Sequence, residues 1–332
     1  MDDRKPHDTP AKQSADSLET YFRNIIVLNQ AFAEQPFRDT HAETAANLGQ
    51  APEHAVLWLG CNVLRTPHLA QLAASIMRLL DPGLSVLGGP SHCCGSPIVE
   101  KTGRDRTLNR TIGHFQNEHT STLVSWCPSC HTNLRAGSDA SSWNFSELHI
   151  TEFIARRLDR LKLSPRLSAR VVVHGHTGAP DRDKDMEFCR TILRRIPGIT
   201  IVAEHADTEL GLHCVPAIVG NQIGAEAFER KLAELLDEAR GAKAEMLVTI
   251  YHSCYRELEK RLRSGPLVIE NYITLLARAL DLPIPANVYR EMAHGGDARR
   301  GELQSDAESR SIDRAELARA MDAEFSPPRV SR

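Results

Sequence analysis

The chain lacks several features that assign a protein to a class at once. No apolar run approaches the roughly 18 residues that a membrane-spanning helix needs, so no transmembrane segment is expected. The formal net charge is only −3, which gives no excess of positive charge for binding nucleic acid or an anionic membrane. The N-terminal stretch MDDRKPHDTPAKQSAD has no apolar segment of the kind found in secretory signals, which predicts a cytoplasmic location.

Common redox signatures are missing as well. No glycine-rich dinucleotide fingerprint follows a predicted strand, no ferredoxin-type run of closely spaced cysteines is present, and no flavin motif is visible. The chain therefore has no evident way to receive electrons from a soluble carrier, and we expect a partner protein to supply them.

What the chain does contain is cysteine, eight residues in all, and five of them form one pattern in the first half. Cys61 comes first, the adjacent pair Cys93 and Cys94 precedes a glycine, and Cys127 and Cys130 form a C-x-x-C motif. In a cytoplasmic protein such cysteines are metal ligands or redox thiols rather than a disulfide framework. Because a structural zinc ion coordinates four ligands, five thiolates favour a polynuclear iron–sulfur cluster.

Two other interpretations of these cysteines stay open. Trp126 and the C-x-x-C motif follow a predicted strand, as in a thioredoxin-like dithiol. A structural zinc site would use four of the thiolates. Neither interpretation uses all five cysteines. Cys189, within a predicted amphipathic helix, is expected to be a packing residue.

Strands and helices alternate along the chain, which predicts an α/β fold with parallel sheets. Predicted strands lie at 55–61, 84–89, 121–127, 169–176, 199–205 and 245–252, and predicted helices at 67–80, 105–118, 185–196 and 224–240. We expect two pseudo-repeated three-layer domains, each a small parallel sheet flanked by helices. The predicted boundaries are 1–50 for an N-terminal tail and helix, 51–150 for the first domain, 151–292 for the second, and 293–332 for a polar C-terminal tail with one short helix at 313–323.

The two halves align as a diverged repeat. VLWLGC at 56–61 aligns with VVVHGH at 171–176, and the alignment pairs Cys61 with His176, Cys93 and Cys94 with His213 and Cys214, Cys127 with Tyr251, and Cys130 with Cys254. Parallel strands bring their carboxyl ends to one edge of a sheet, where α/β folds place their ligands. Donor residues far apart in sequence are therefore expected to converge at that edge in each half.

A candidate second metal site follows from this alignment. His176, His213, Cys214 and Cys254 stand at the matching positions of the second half, with His174 two residues before His176 and His252 directly after Tyr251. Imidazole and thiolate together suit zinc and also iron. Three interpretations stay open: a mononuclear zinc or iron ion, a vestigial site of hydrogen-bonded histidines, and a modified iron–sulfur cluster with histidine ligands.

The five-cysteine pattern resembles the cysteine-rich CCG domain of the B subunit of heterodisulfide reductase, which also occurs in subunits of glycerol-3-phosphate, lactate and succinate oxidoreductases. The resemblance implies that Cys61, Cys93, Cys94, Cys127 and Cys130 hold a noncubane [4Fe–4S] cluster. The second motif of that family has lost most of its cysteines here, so a second cluster of the same kind is not expected.

The same resemblance implies a function. It predicts an iron–sulfur subunit of an oxidoreductase complex for thiols, disulfides or related sulfur compounds, with the cluster as the place where an S–S bond is cleaved or formed. No catalytic residue beyond the cluster ligands is implied. The implied partners are a ferredoxin-like iron–sulfur subunit and a flavoprotein subunit. A second hypothesis, of a different functional class, is that the chain is a non-catalytic electron-transfer or assembly subunit of a larger dehydrogenase.

Overall fold

A computed structural model of the chain describes residues 15–34, 54–117, 120–137, 143–210, 213–216, 221–262 and 265–325. These residues contain two four-stranded sheets in which every neighbouring pair of strands is parallel. The first sheet has the order β2-β1-β3-β4 and comprises β1 (His54–Gly60), β2 (Ser85–Gly88), β3 (Thr120–Ser125) and β4 (Ser146–His149). The second has the order β6-β5-β7-β8 and comprises β5 (Ala169–His176), β6 (Ile199–Asp207), β7 (Met246–Thr249) and β8 (Val268–Asn271).

Helices cover the sheets and connect their strands. They are α1 (Ala15–Phe32), α2 (Pro67–Leu80), α3 (Lys101–Asn117), α4 (Pro128–Gly137), α5 (Ile150–Ala155), α6 (Pro180–Arg195), the single turn α7 (Asn221–Ile223), α8 (Ala225–Gly241), α9 (His252–Glu259), α10 (Tyr272–Ala279), α11 (Val288–Gly295), α12 (Asp297–Asp306) and α13 (Arg314–Phe325). None of the helices within the described ranges is both long and apolar enough to cross a membrane.

The central strands are apolar on both faces because helices cover both sides of each sheet. In β1, Leu57 pairs with Val86 of β2 and with Val124 of β3, and all three side chains are buried. The helix α2 begins at a proline, which occupies the first helical position without losing a hydrogen bond. Its apolar face packs against α10 of the other half, so the two halves share a continuous core.

Both sheets have the same strand order and the same sequence of elements. The predicted α/β fold of two repeated halves is therefore confirmed. Each half nevertheless contains one more strand than predicted, because β4 and β8 were not anticipated. Both are four-residue strands at a sheet edge, and each contains a glutamate (Glu147 and Glu270) that made the segment look like a loop or a helix start.

The C-terminal part of the chain differs from the predicted polar tail. The short helix expected at 313–323 is present as α13, which packs against α1 and buries Leu317 and Met321. The helix α12 was not predicted. Glu324 of α13 is buried and pairs with Arg65 at 2.5 Å and with Arg256 at 3.2 Å, which ties this helix to both halves. Of the N-terminal tail and helix predicted at 1–50, the helix corresponds to α1, and residues 1–14 and 35–50 lie outside the described residues.

Candidate functional site

The five cysteines of the first half come together at the carboxyl edge of the first sheet. Cys61 directly follows β1, Cys93 and Cys94 follow the turn after β2, and Cys127 follows β3 after one residue, with Cys130 in the first turn of α4. All five side chains are buried. The Sγ atoms of Cys61 and Cys93 lie 3.9 Å apart. We call this group the five-cysteine cluster.

Two glycines allow the backbone to approach these sulfurs. Gly60 has a φ of +68°, and a Cβ at this position would lie 2.7 Å from the Sγ atom of Cys130. Gly95 has a φ of +80°, and its N–H donates a hydrogen bond to the Sγ atom of Cys93 at 3.3 Å. Left-handed backbone of this kind is readily adopted by glycine alone. Glycine at position 95 therefore lets the chain bend directly after the adjacent cysteines.

The thiols of the five-cysteine cluster strongly shift one another's pKa values. The hydrogen bond from Cys130 holds the pKa of Cys127 well below the usual range of a cysteine. Conversely, the hydrogen bond to Cys93 and burial raise the pKa of Cys61 well above that range. Thiolates repel one another where water is excluded, so ionisation of all five requires a cationic centre between them.

A cavity of about 350 Å³ lies directly against the cluster. Four of its lining residues are cysteines of the cluster, and the others include Tyr21 from α1 and His213 from the second half. The cavity is therefore lined by both halves and by the N-terminal helix. A ligand in this space would touch sulfur directly.

Two buried polar side chains next to the cluster have no hydrogen-bond partner among the described residues. They are His252, at both ring nitrogens, and Trp126, at its indole nitrogen. Their rings contact each other with centroids 5.9 Å apart. A buried donor without a partner is costly, and a bound group with acceptor atoms would satisfy it. The cluster surroundings thus fit an inorganic group that carries sulfide.

A second group of donors lies at the carboxyl edge of the second sheet. It consists of His174 and His176 at the end of β5, Cys214 in the segment after β6, and Cys254 in the first turn of α9. One ligand atom from each residue lies within 4.8 Å of the others, and all four side chains are buried. We call this group the His/Cys cluster.

The structure divides the predicted second-site residues between two places. His176, Cys214 and Cys254 belong to the His/Cys cluster, which also includes His174. His213 and His252 point instead toward the first site. His213 bridges two hydroxyl groups, with its Nε2 atom 2.6 Å from Ser129 Oγ and its Nδ1 atom 3.0 Å from Ser253 Oγ. The sheet edges of the two halves face each other, so residues of one half reach the site of the other.

The thioredoxin-like interpretation of Cys127 and Cys130 finds no support in this geometry. Both thiols are buried and face three further cysteines rather than solvent. Cys189 is fully buried in α6 and takes part in the apolar core, as expected for a packing residue.

Two comparisons with known proteins cover different parts of the chain. Residues 55–135 match the CCG family of cysteine-rich domains. Over 244 residues, which is 70% of this chain, the sequence is 25% identical to the B subunit of fumarate reductase (CoM/CoB) from Methanothermobacter marburgensis. The chain spans 48% of the length of that relative. The resemblance to a CCG domain that the cysteines indicated is thereby confirmed.

The segment that matches the CCG family contains all five residues of the five-cysteine cluster. Together with the His/Cys cluster, its donor set indicates that the chain binds a metal ion or an iron–sulfur cluster. The match to the CCG family ends at residue 135, before the second sheet begins.

Three residues next to the five-cysteine cluster were not assigned to it from the sequence. Tyr21 lies on α1, and nothing in the pattern of that helix indicates which sheet it covers. Asn62 lines the cavity and accepts a hydrogen bond from Arg256 of the second half at 2.7 Å. His213 was assigned to the second site because the repeat alignment places it there. Only the packing of the two halves against each other reveals these positions.

Proposed function

We propose that this chain is the iron–sulfur subunit of an oxidoreductase that acts on thiols and disulfides. The five cysteines of the CCG domain would hold a noncubane [4Fe–4S] cluster. When bound, such a cluster supplies sulfur-ligated iron that exchanges single electrons and has affinity for a further sulfur ligand. The observation that carries the proposal is the convergence of five buried thiols, four of which line a cavity of about 350 Å³.

The cavity residues would bind and orient the substrate. Burial lowers the pKa of His213 to about 4, so this imidazole is neutral near pH 7. A neutral ring between the hydroxyls of Ser129 and Ser253 donates one hydrogen bond and accepts the other, which fixes Ser129 at the cavity wall. Burial also raises the pKa of Tyr21, which keeps its hydroxyl protonated as a donor to a bound ligand.

An arginine in the lining of a neighbouring cavity suggests that the substrate is anionic. A neighbouring cavity of about 480 Å³ shares Ser96, Ser129 and His213 with the first and is also lined by Arg104. Arg104 has no ion-pair partner among the residues that the structure describes. A sulfur compound with a carboxylate, sulfonate or phosphate group would place that group against Arg104 and its sulfur against the cluster.

Partner subunits form part of the proposal. The relative from Methanothermobacter marburgensis is one subunit of a reductase, and this chain spans about half of it. We expect a ferredoxin-like iron–sulfur subunit to pass electrons to the CCG domain and a flavoprotein subunit to supply them.

Electron paramagnetic resonance of the oxidised protein tests the catalytic role. We expect that adding a thiol or disulfide with an anionic group changes the signal, and that Cys61→Ser protein shows no such change. The alternative, a subunit that only transfers electrons, predicts a signal that responds to electrode potential but not to any thiol or disulfide. That result would contradict the proposed catalytic function.

A further inference from the structure

We propose that His174, His176, Cys214 and Cys254 form a tetrahedral zinc site that is separate from the five-cysteine cluster. The two imidazoles and two thiols converge from three segments of the second half, and their ligand atoms lie within 4.8 Å of one another. None of the four side chains is more than 1% exposed. This inference does not depend on the function proposed for the CCG domain.

The distances between the ligand atoms match a single zinc ion. Tetrahedral bonds of about 2.3 Å to sulfur and about 2.0 Å to nitrogen place a sulfur and a nitrogen ligand about 3.5 Å apart. The corresponding distances are 3.3 Å from His174 Nε2 to Cys214 Sγ, 3.2 Å from His176 Nε2 to Cys254 Sγ and 3.7 Å from His176 Nε2 to Cys214 Sγ. One ion at the centre would therefore bind all four atoms with little movement of the side chains.

A binuclear iron–sulfur cluster fits this arrangement less well. When two histidines and two cysteines hold such a cluster, each pair of ligands binds a different iron. The imidazole nitrogens and the thiolate sulfurs would then be well separated, whereas here each cysteine lies next to an imidazole. Two nitrogen and two sulfur ligands around one centre form one of the ligand sets of structural zinc sites.

The site has the closed character of a structural zinc centre. Four protein ligands leave no open position, and the burial of all four leaves no path for a substrate. The backbone N–H of Cys214 lies 3.4 Å from the Sγ atom of Cys254, which is a typical contact of a metal-bound thiolate. The ion would connect the end of β5, the segment after β6 and the start of α9, and so fix the edge of the second sheet.

Metal analysis of the purified chain and of matched variants tests the inference. We expect about one zinc per chain, as for a four-ligand structural site. The zinc should remain in the Cys61→Ser/Cys93→Ser variant, since it does not depend on the first cluster. It should be lost in Cys254→Ser and in His176→Ala. Cys189→Ser, which changes a buried cysteine of the core, is the control and should keep it.

A second measurement covers the case in which the Cys254→Ser variant fails to fold. Cobalt(II) exchanged into the wild-type chain should give the strong visible absorption of tetrahedral thiolate and imidazole ligation. A folded wild-type chain that contains no zinc and takes up no cobalt would overturn the inference. So would iron with acid-labile sulfide that persists when Cys61 and Cys93 are replaced.

Discussion

The Sγ atoms of Cys61 and Cys93 lie 3.9 Å apart, although the two residues are 32 positions apart in the chain. They meet because β1 and β2 are neighbouring parallel strands, so the residues that follow them emerge at the same edge of the sheet. The short distance makes both thiols available to one metal centre.

Replacing Cys61 by serine should remove most of the iron from the protein. The hydroxyl is a far weaker ligand for iron than a thiolate, and the remaining four cysteines would have to rearrange in a packed pocket. Iron per chain, measured after anaerobic purification, is the readout. Cys189→Ser is the matched control because this buried cysteine lies in α6, away from both clusters. Equal iron content in the two variants would show that Cys61 is not a ligand.

Gly60→Ala should disturb the five-cysteine cluster without removing any of its cysteines. The new Cβ would lie 2.7 Å from the Sγ atom of Cys130, and the φ of +68° costs an alanine about 1–2 kcal/mol. We expect lower iron content and a lower free energy of unfolding. In Gly113→Ala, within α3, the added methyl group meets no atom within 4 Å, so this control should keep its iron and be at least as stable. Full iron content in Gly60→Ala would contradict the close approach of Cys130.

The ion pairs of Glu324 predict a defined dependence of stability on pH. Burial alone would raise the pKa of Glu324, but Arg256 and Arg65 hold it at about 2, against 4.5 for the ordinary group. Because the folded-state pKa is lowered, the stabilisation is complete above pH 4.5 and is lost as the pH falls toward 2. The shift corresponds to about 3 kcal/mol at pH 7.

Denaturant unfolding of Glu324→Gln and wild type at two pH values measures this contribution. The difference in unfolding free energy should be about 3 kcal/mol at pH 7 and less than half of that at pH 3. Glu308→Gln is the control, because the ion pair of Glu308 with Arg314 is exposed and contributes little. A difference that is independent of pH would show that the glutamate acts through packing rather than through its charge.

Arg104→Gln should weaken the binding of an anionic sulfur substrate and leave the iron content unchanged. A hydrogen bond to a charged group contributes about 1.5–3 kcal/mol, so KM should rise about 10- to 100-fold. Arg106→Gln, an exposed cation on the same helix, is the control and should leave KM unchanged. If both variants behave like wild type, the substrate carries no group that Arg104 recognises.

The sequence was sufficient to predict the repeat and the place of the first cluster. Alternating apolar segments and helical spacing identified every central strand, and the helix predicted at 67–80 agrees with α2 at both ends. The edge strands β4 and β8 were missed because four residues with a central glutamate give no strand pattern. The position of a residue in the repeat alignment also does not reveal how the two halves pack against each other. For that reason His213 and His252 were assigned to the second site, although they face the first.

Iron and acid-labile sulfide, measured on the anaerobically purified chain, decide whether the five cysteines hold an iron–sulfur cluster. We expect a brown protein with about four irons and a matching amount of sulfide per chain. Both should be lost together when Cys61 and Cys93 are replaced by serine. A colourless chain without iron or sulfide after anaerobic reconstitution would contradict the assignment of the five cysteines to such a cluster.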